Sequence, residues 1–531
     1  MIRGISPAVV LGGVAALAAL SFPWFGILGS DTPVGVPGDS ADMAVSGDSD
    51  VFDEVWHFWW VRTAVSEGRD PMYCPLIYHP RGASLALHNV GWTSALFMSL
   101  PGMPRNPVRA LNLALFLGTL LTFAGGAFLA RRWDAPRDGA VVAGMIMALM
   151  PCRTVHMLQH YMVAQIGWVL LALGFFTGYL RNRRGLLFIG LFAFLAVMES
   201  FYHGLLLAAG AAAASLLAPE KPSVGRLFRG WAAVAAGFAL ASLWFIPRGG
   251  PVYTESMSWR EAVHWSAEPV SYALPSSLGA VGRLAGLPLK YPWMPNAFEG
   301  QVSCGLAATA LLALVCLKGR RLSLALVCLG IMILSFGPLL KMGGRATPIP
   351  LPWMIPARLP FFAQARVPAR LGMLLGIIAG VTAGAAFRHL GSRARRALLT
   401  LLALDLFIPS LPVLPASIPE ACRSVRGPVL DLPASPSVRI TALYQTAHRR
   451  PRLTAFLARG GFAAYEEAGL SSLGMNDSTT ITPQRILATE AETVLYHRML
   501  LPPESRMLHD SLYAPLFPGA SPDDSVWVWR R

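Results

Sequence analysis

The chain has 531 residues and a formal net charge of +15. It is 54% hydrophobic and 14% charged, with a mean hydropathy of +0.49, whereas soluble domains carry about 25% charged residues. This balance excludes an ordinary soluble enzyme. Because the arginines fall in short clusters between apolar runs, it also excludes reading the positive charge as a nucleic-acid footprint.

The expected fold class is an α-helical polytopic membrane protein followed by a small C-terminal α/β domain. The first apolar run, Ala8–Leu28, is long enough to be an uncleaved first span rather than a signal peptide. Further spans are expected at Ala110–Leu129, Ala140–Met150, Met162–Leu180, Leu186–Met198, His203–Leu217, Gly230–Ile246, Gly300–Leu317, Leu322–Leu340, Leu371–Phe387 and Ala397–Leu411, about eleven in all. Trp92–Leu100 is too short to cross and is expected at the interface.

Five basic clusters fall on one side under this count. They are Arg131, Arg132 and Arg137; Arg181, Arg183 and Arg184; Lys221, Arg226 and Arg229; Lys318, Arg320 and Arg321; and Arg388, Arg393, Arg395 and Arg396. By the positive-inside rule that side is the cytoplasm. The expectation is a bacterial inner-membrane protein with a cytoplasmic N-terminus, membrane lipids as its solvent and no nucleic-acid partner. The six cysteines show no metal or CxxC spacing and read as small apolar residues.

The membrane module is expected over residues 1–411, with an acidic first outer loop at 31–109, and an extracytoplasmic α/β domain over 412–531. In the latter, GPVLDLP (Gly427–Pro433) reads as a buried strand, SVRITALYQTAH (Ser437–His448) as a helix, and the terminal DSVWVWRR as a strand.

Acidic residues concentrate in GDSDVFDEVWHFWW (Gly47–Trp60), where Asp48, Asp50, Asp53 and Glu54 run into Trp56, Trp59 and Trp60. The tryptophans are expected at headgroup level. Carboxylates held beside them are partly desolvated, which makes them better proton acceptors; a pair of them could also hold a divalent cation. The stretch continues DPMYCPLIYHPRGASLALHN, which contains His79 and His88.

This acidic cluster, the W-x-x-WW sequence and the YHPRGASLALHN stretch resemble the GT-C superfamily of multi-spanning glycosyltransferases, which includes protein mannosyltransferases, aminoarabinose transferases and oligosaccharyltransferases. MPCRTVHMLQHYMVAQIGW (Met150–Trp168), FFAQARVPARLGML (Phe361–Leu374) and GPVLDLP with ALYQTAHRRPRLTAF are similar to the bacterial membrane-protein relatives of that group. The resemblance implies transfer of a sugar, with inversion, from a polyprenyl-phosphate carrier to a lipid, glycan or protein acceptor on the outer face of the membrane, and leaves open which of Asp48, Asp50, Asp53 and Glu54 acts. It implies that a first-loop acid is the general base: Asp53–Glu54 matches the family's acidic pair, and Gly47–Asp48 the closer relatives. About twenty residues separate the first span from the cluster, a longer gap than the family's.

A phosphate leaving group calls for arginine near the outer interface, and RATPIPLPWMIPARLPFFAQARVPARL offers Arg345, Arg358, Arg366 and Arg370. His156 and His160, four apart, share a helix face and could ligate a metal with Glu199 or His203. With Tyr202, these histidines and Glu199 are candidate substrate-lining residues, as are the three tryptophans, His79 and His88. Asp405 is expected to pair with a neighbouring helix. The alternative functions are a transporter or flippase of lipid-linked saccharides, or a non-catalytic relative; the lack of internal repeats and the loop position of the acids favour the enzyme.

Overall fold

The computed structural model describes residues 22–37, 49–86, 88, 90–182, 184–249, 259–294, 298–318, 321–358, 365–434, 438–455, 482–501, 503–521 and 523–531. Asp48 and most of the expected first span lie outside them. The described end of that span, from Phe22, is a 3-10 turn and further turns rather than an α-helix.

The acidic stretch is a helix, not a loop. Ser49 caps α1 (Asp50–Ser66), its side-chain oxygen accepting the Val51 N–H, and Asp50 and Asp53 occupy the first turn, where the helix dipole favours negative charge. Helix α1 is buried along most of its length. Trp56, Trp59 and Trp60 are 4%, 7% and 0% exposed, packed inside the protein rather than presented on its surface. They pack against the strands that follow, β1 (Tyr73–Cys74) and β2 (Ala83–Ser84), and against the C-terminal segment.

The bundle then runs through α2 (Trp92–Met98), α3 (Pro107–Arg132), α4 (Arg137–Leu149), α5 (Pro151–Thr154), α6 (Tyr161–Ala164), α7 (Gly167–Asn182), α8 (Leu186–Glu199), α9 (Phe201–Leu217) and α10 (Val224–Gly249). After α11 (Trp259–His264) and α12 (Ala280–Leu284) come α13 (Leu306–Lys318), α14 (Leu322–Ser335), the hairpin β3 (Leu339–Met342) and β4 (Arg345–Pro350), α15 (Gly372–Ala386) and α16 (Ser392–Leu406). Four segments are long and apolar enough to cross a membrane: Pro107–Arg132, Tyr161–Arg181, Val224–Arg248 and Pro368–His389. Arg137–Leu149 with Pro151–Leu158, bent by 44°, makes a fifth. Helices α8, α9, α13 and α14 are apolar but shorter, so the expectation of about eleven full spans is not reached among the described residues.

Two expected spans have different bounds. Helix α14 stops at Ser335 because Gly337, at φ +70°, turns the chain and Pro338 cannot continue the helix; Leu339 and Leu340 enter β3 instead. Helix α13 starts only at Leu306, where the Asp405 carboxylate accepts the Ala307 N–H at 3.1 Å. Elsewhere small residues let helices touch: a Cβ on Gly139 of α4 would lie 2.2 Å from the Gly384 carbonyl of α15, the close approach that apolar bundles exploit.

The break after α4 is held by one buried cation. Pro151 interrupts the ladder, and Arg153, fully buried, donates to Ala148 O (2.6 Å), Ala164 O (2.7 Å) and Thr119 Oγ1 (3.0 Å). The guanidinium thus satisfies carbonyls left open at the ends of α4 and α6.

The basic loops gather at one end. Arg181 pairs with Asp134 at 2.9 Å, Arg226 donates to Leu180 O, Arg395 lies 3.9 Å from Asp138, and Lys318, Arg321 and Arg388 line the same cavity as Trp133 and Asp134. Arg370 precedes α15 and Arg388 follows it, so at 1.5 Å per residue the two ends stand about 27 Å apart, close to the thickness of a hydrocarbon core.

The C-terminal segment forms a sheet in the order β5 (Val429–Leu432), β6 (Thr493–His497), β7 (Val526–Arg530), β5 and β6 parallel and β6 and β7 antiparallel. Central β6 and its neighbour β5 are buried at every position. Helix α17 (Ile440–His448) lies against α1, and α18 (Pro503–Tyr513) follows β6.

Candidate active site

The first turn of α1, the helix break after α5, the residues before α13 and α15, and the start of α17 meet in one charged cluster. Asp50 ion-pairs with Arg439 Nη1 and lies 3.3 Å from His160 Nε2; Arg439 Nε lies 3.4 Å from Asp53 Oδ2. His160 and His156 face each other through Nδ1 at 3.3 Å, and Glu299 approaches both, at 3.9 and 3.7 Å. Arg370 closes the chain of charges. Its Nε and Nη2 donate to Glu299 at distances of 2.5 to 3.2 Å, and its guanidinium stacks 4.3 Å over the Tyr202 ring.

The three described acids of α1 have different environments. Asp50 is the most open, its side chain 25% exposed against 9% for Asp53. Burial opposes its ionisation, but Arg439 and His160 outweigh that and hold its carboxyl well below the usual range. Glu54 is the reverse case. Burial raises its pKa well above the carboxylate range, and the neighbouring Asp50 and Asp53 add to this against one backbone hydrogen bond. Its Oε1 accepts the Tyr161 N–H at 2.8 Å and so caps α6, while Oε2 has no hydrogen-bond partner among the described residues.

His57, one turn along α1, is 2% exposed with neither ring nitrogen bonded among the described residues, and its ring meets that of His88 edge-on at 4.6 Å. Burial pushes the pKa of both down, that of His88 to about 3. The hydroxyl of Tyr202 is likewise buried, with no hydrogen-bond partner among the described residues. His88, Glu199 and Tyr202 line one small cavity, so further polar side chains adjoin the ion pairs.

Of the sequence-derived candidates, Asp50, Asp53, Glu54, His156, His160, Arg370 and Tyr202 therefore come together, with His88 beside them. Glu199 is fully buried and caps α2, accepting the N–H and hydroxyl of Ser94, each at 2.8 Å. His79 sits on the seam with the C-terminal segment, its N–H donating to Arg452 O at 3.0 Å. Arg366 is engaged by Glu261 at 2.8 Å, and Arg345 and Arg358 are exposed, so of the four arginines only Arg370 is shown in the charged cluster. Trp56 donates through Nε1 to Gln445 Oε1 and builds the seam rather than a substrate lining.

Glu299 and Arg439 were not among the candidates. Glu299 had a readable signal, an acid at the mouth of an apolar run; Arg439 had none beyond preceding a helix.

His156, His160 and Glu299 offer ligand atoms within 4.8 Å of one another, and a two-histidine, one-carboxylate set suits a transition metal. The neighbouring Arg370 argues against it. Its guanidinium contacts both Glu299 oxygens, so a cation would have to displace it, and as arranged the set is an ion-pair network.

No protein-family model matches the sequence, and no curated protein is similar to it in sequence. The structure is similar to that of ArnT from Cupriavidus metallidurans in the apo state, with 12% identity, 98% of this chain and 97% of that one covered, and a TM-score of 0.51. Against ArnT bound to undecaprenyl phosphate the identity is 12%, the coverage 99% and 98%, and the TM-score 0.50. At this identity the likeness concerns the fold alone: the chain has the fold of these ArnT structures.

Proposed function

We propose that the protein is a membrane glycosyltransferase that moves a sugar from a polyprenyl-phosphate carrier to a lipid, glycan or protein acceptor, with inversion, on the outer face of a bacterial inner membrane. The observation that carries this reading is the placement of Asp50. It is the most open of three acids on a capped helix, ionised, and held between Arg439 and His160 at the end of the bundle away from the basic loops. The GT-C fold supports the reading, and the undecaprenyl phosphate bound to one ArnT structure supports the choice of carrier.

In this mechanism Asp50, ionised but made a weak base by Arg439 and His160, orients the acceptor hydroxyl and takes its proton only as the oxygen bonds to the anomeric carbon and the hydroxyl becomes acidic. The bond from that carbon to the phosphate oxygen breaks, and the carrier phosphate leaves with the electron pair. Asp53 shares the Arg439 charge and stands behind Asp50. Arg370 stabilises the leaving phosphate through Nη1, which makes no hydrogen bond among the described residues, while Nε and Nη2 are fixed on Glu299. The uncharged polar groups of His57, His88 and Tyr202 suit the hydroxyls of a sugar.

A deletion strain compared with its parent for glycolipids and surface glycans tests the activity. Asp50→Asn supplied to that strain keeps the size of the side chain but removes the acceptor, and is expected to reduce the missing glycan about 10²–10⁴-fold. Parental amounts of glycan in both the deletion and the variant would overturn the reading.

A further inference from the structure

We propose that the C-terminal segment is part of the active site, with Arg439 as the residue that positions the catalytic carboxylates. This rests on the reading of Asp50 as the base. Asp50, Asp53 and Glu54 lie within five positions of one helix, and residues three or four apart on a helix are neighbours whose like charges repel. In a mostly buried turn that repulsion is screened little, so two ionised carboxylates need a cation from another element. His160 reaches only Asp50; Arg439 reaches both Asp50 and Asp53. A guanidinium can bridge two carboxylates in a fixed geometry, whereas an ammonium is a point charge.

The support behind Arg439 is built to hold it there. Arg439 is the cap residue of α17, 18% exposed, and Thr441 in the first turn accepts a hydrogen bond from Arg452 Nη2. Arg452 is itself held by Asp431 at 2.8 Å, and Asp431 by His497 at 2.9 Å, all three being at most 3% exposed. A small cavity bounded by Asp53, Arg439, Thr441, Arg452 and Asp431 joins this buried cluster to the acids of α1. The geometry therefore runs from the core of the C-terminal sheet through α17 to the base, and a shift in the sheet is felt at Asp50.

The test uses purified full-length protein, membranes of the deletion strain as the source of acceptor, and a titrated polyprenyl-phosphate-sugar extract of parent cells as donor. R439Q is expected to lower the maximal rate at least about tenfold with little change in the donor amount giving half-maximal rate, and R439K to recover part of it. D431N, which touches no substrate in this reading, is expected to lower the maximal rate without moving donor half-saturation. Unchanged maximal rate in R439Q overturns the inference. So does equal loss in R439Q and R439K accompanied by a matching fall in melting temperature, which marks a purely structural role. D50N and D53N run alongside separate the two claims: loss in either with full activity in R439Q overturns the inference alone, and full activity in both overturns the assignment of the base and this inference with it.

Discussion

The indole Nε1 of Trp56 donates to Oε1 of Gln445 at 2.8 Å, joining α1 to α17 across 389 residues of chain. Gln445 spends its amide nitrogen on Leu76 O (2.7 Å) and Arg450 O (3.0 Å). One fully buried glutamine thus ties the acidic helix, the segment after it and the C-terminal helix together.

Trp56→Phe retains most of the ring volume but leaves the Gln445 oxygen without its donor. An unsatisfied buried acceptor costs about 1–3 kcal/mol, and the loss should appear as a lower melting temperature of the full chain in detergent. A melting temperature equal to the parent's would show that the seam does not depend on this bond.

His448, at the end of α17, gives the C-terminal segment a pH dependence. Burial lowers its pKa from 6.5 to about 4, against the pull of Asp431. The unfolded chain therefore binds a proton below pH 6.5 that the folded chain refuses until about 4, so stability is full above 6.5 and falls as the pH drops through that window. The size is at most about 3 kcal/mol. Asp431, whose carboxyl is desolvated but held below its ordinary value by Arg452 and His497, contributes stability that is lost only at lower pH. Denaturant unfolding at several pH values should show the slope in the parent and a flatter one in His448→Asn; identical slopes would remove His448 as the cause.

The acids of α1 were legible because carboxylates are conspicuous in so apolar a chain, and the buried strand Val429–Leu432, the helix Ile440–His448 and the strand Val526–Arg530 appear where the pattern placed them. The helical state of the acidic stretch was hidden by its polar flank, although Ser49 followed by a run without glycine or proline is a helix-start signal. Arg439 and Glu299 could not be read because their meaning lies in contacts with Asp50 and Arg370, and no local period encodes a contact between distant elements. The same blindness grouped Arg345, Arg358, Arg366 and Arg370, of which only Arg370 is shown to meet Glu299 in the charged cluster.

The histidine and Glu299 set permits a direct metal test. Because Arg370 already meets the charge of Glu299, chelator-treated protein is expected to keep its melting temperature and its transfer activity, and added Zn²⁺ to stabilise neither the parent nor His160→Gln. A rise in melting temperature with Zn²⁺ that disappears in His160→Gln would make the set a metal centre, with Arg370 displaced on binding.

The four arginines proposed from sequence to meet the donor phosphate should now behave differently. Arg345 and Arg358 are exposed and Arg366 is held by Glu261, so replacing each by Lys keeps the charge where its surroundings ask for no fixed geometry. Arg370 differs in two respects. It is 9% exposed, and its planar fork is fixed on Glu299 and over Tyr202. Lysine carries its three donors on one nitrogen, so it cannot reproduce the fork of Nε and Nη2 on Glu299 and keep a donor where Nη1 stands. Donor-titration curves with Arg345→Lys, Arg358→Lys and Arg366→Lys are therefore expected to overlay the parent's, and Arg370→Lys to need about tenfold more donor for half-maximal rate. Tyr202→Phe keeps the ring under the guanidinium and removes the hydroxyl assigned to the sugar, so comparing it with Arg370→Lys separates the sugar contact from the phosphate contact. If Arg370→Lys titrates like the parent, the phosphate is met elsewhere in the site, and Arg439 is the remaining guanidinium within the charged cluster.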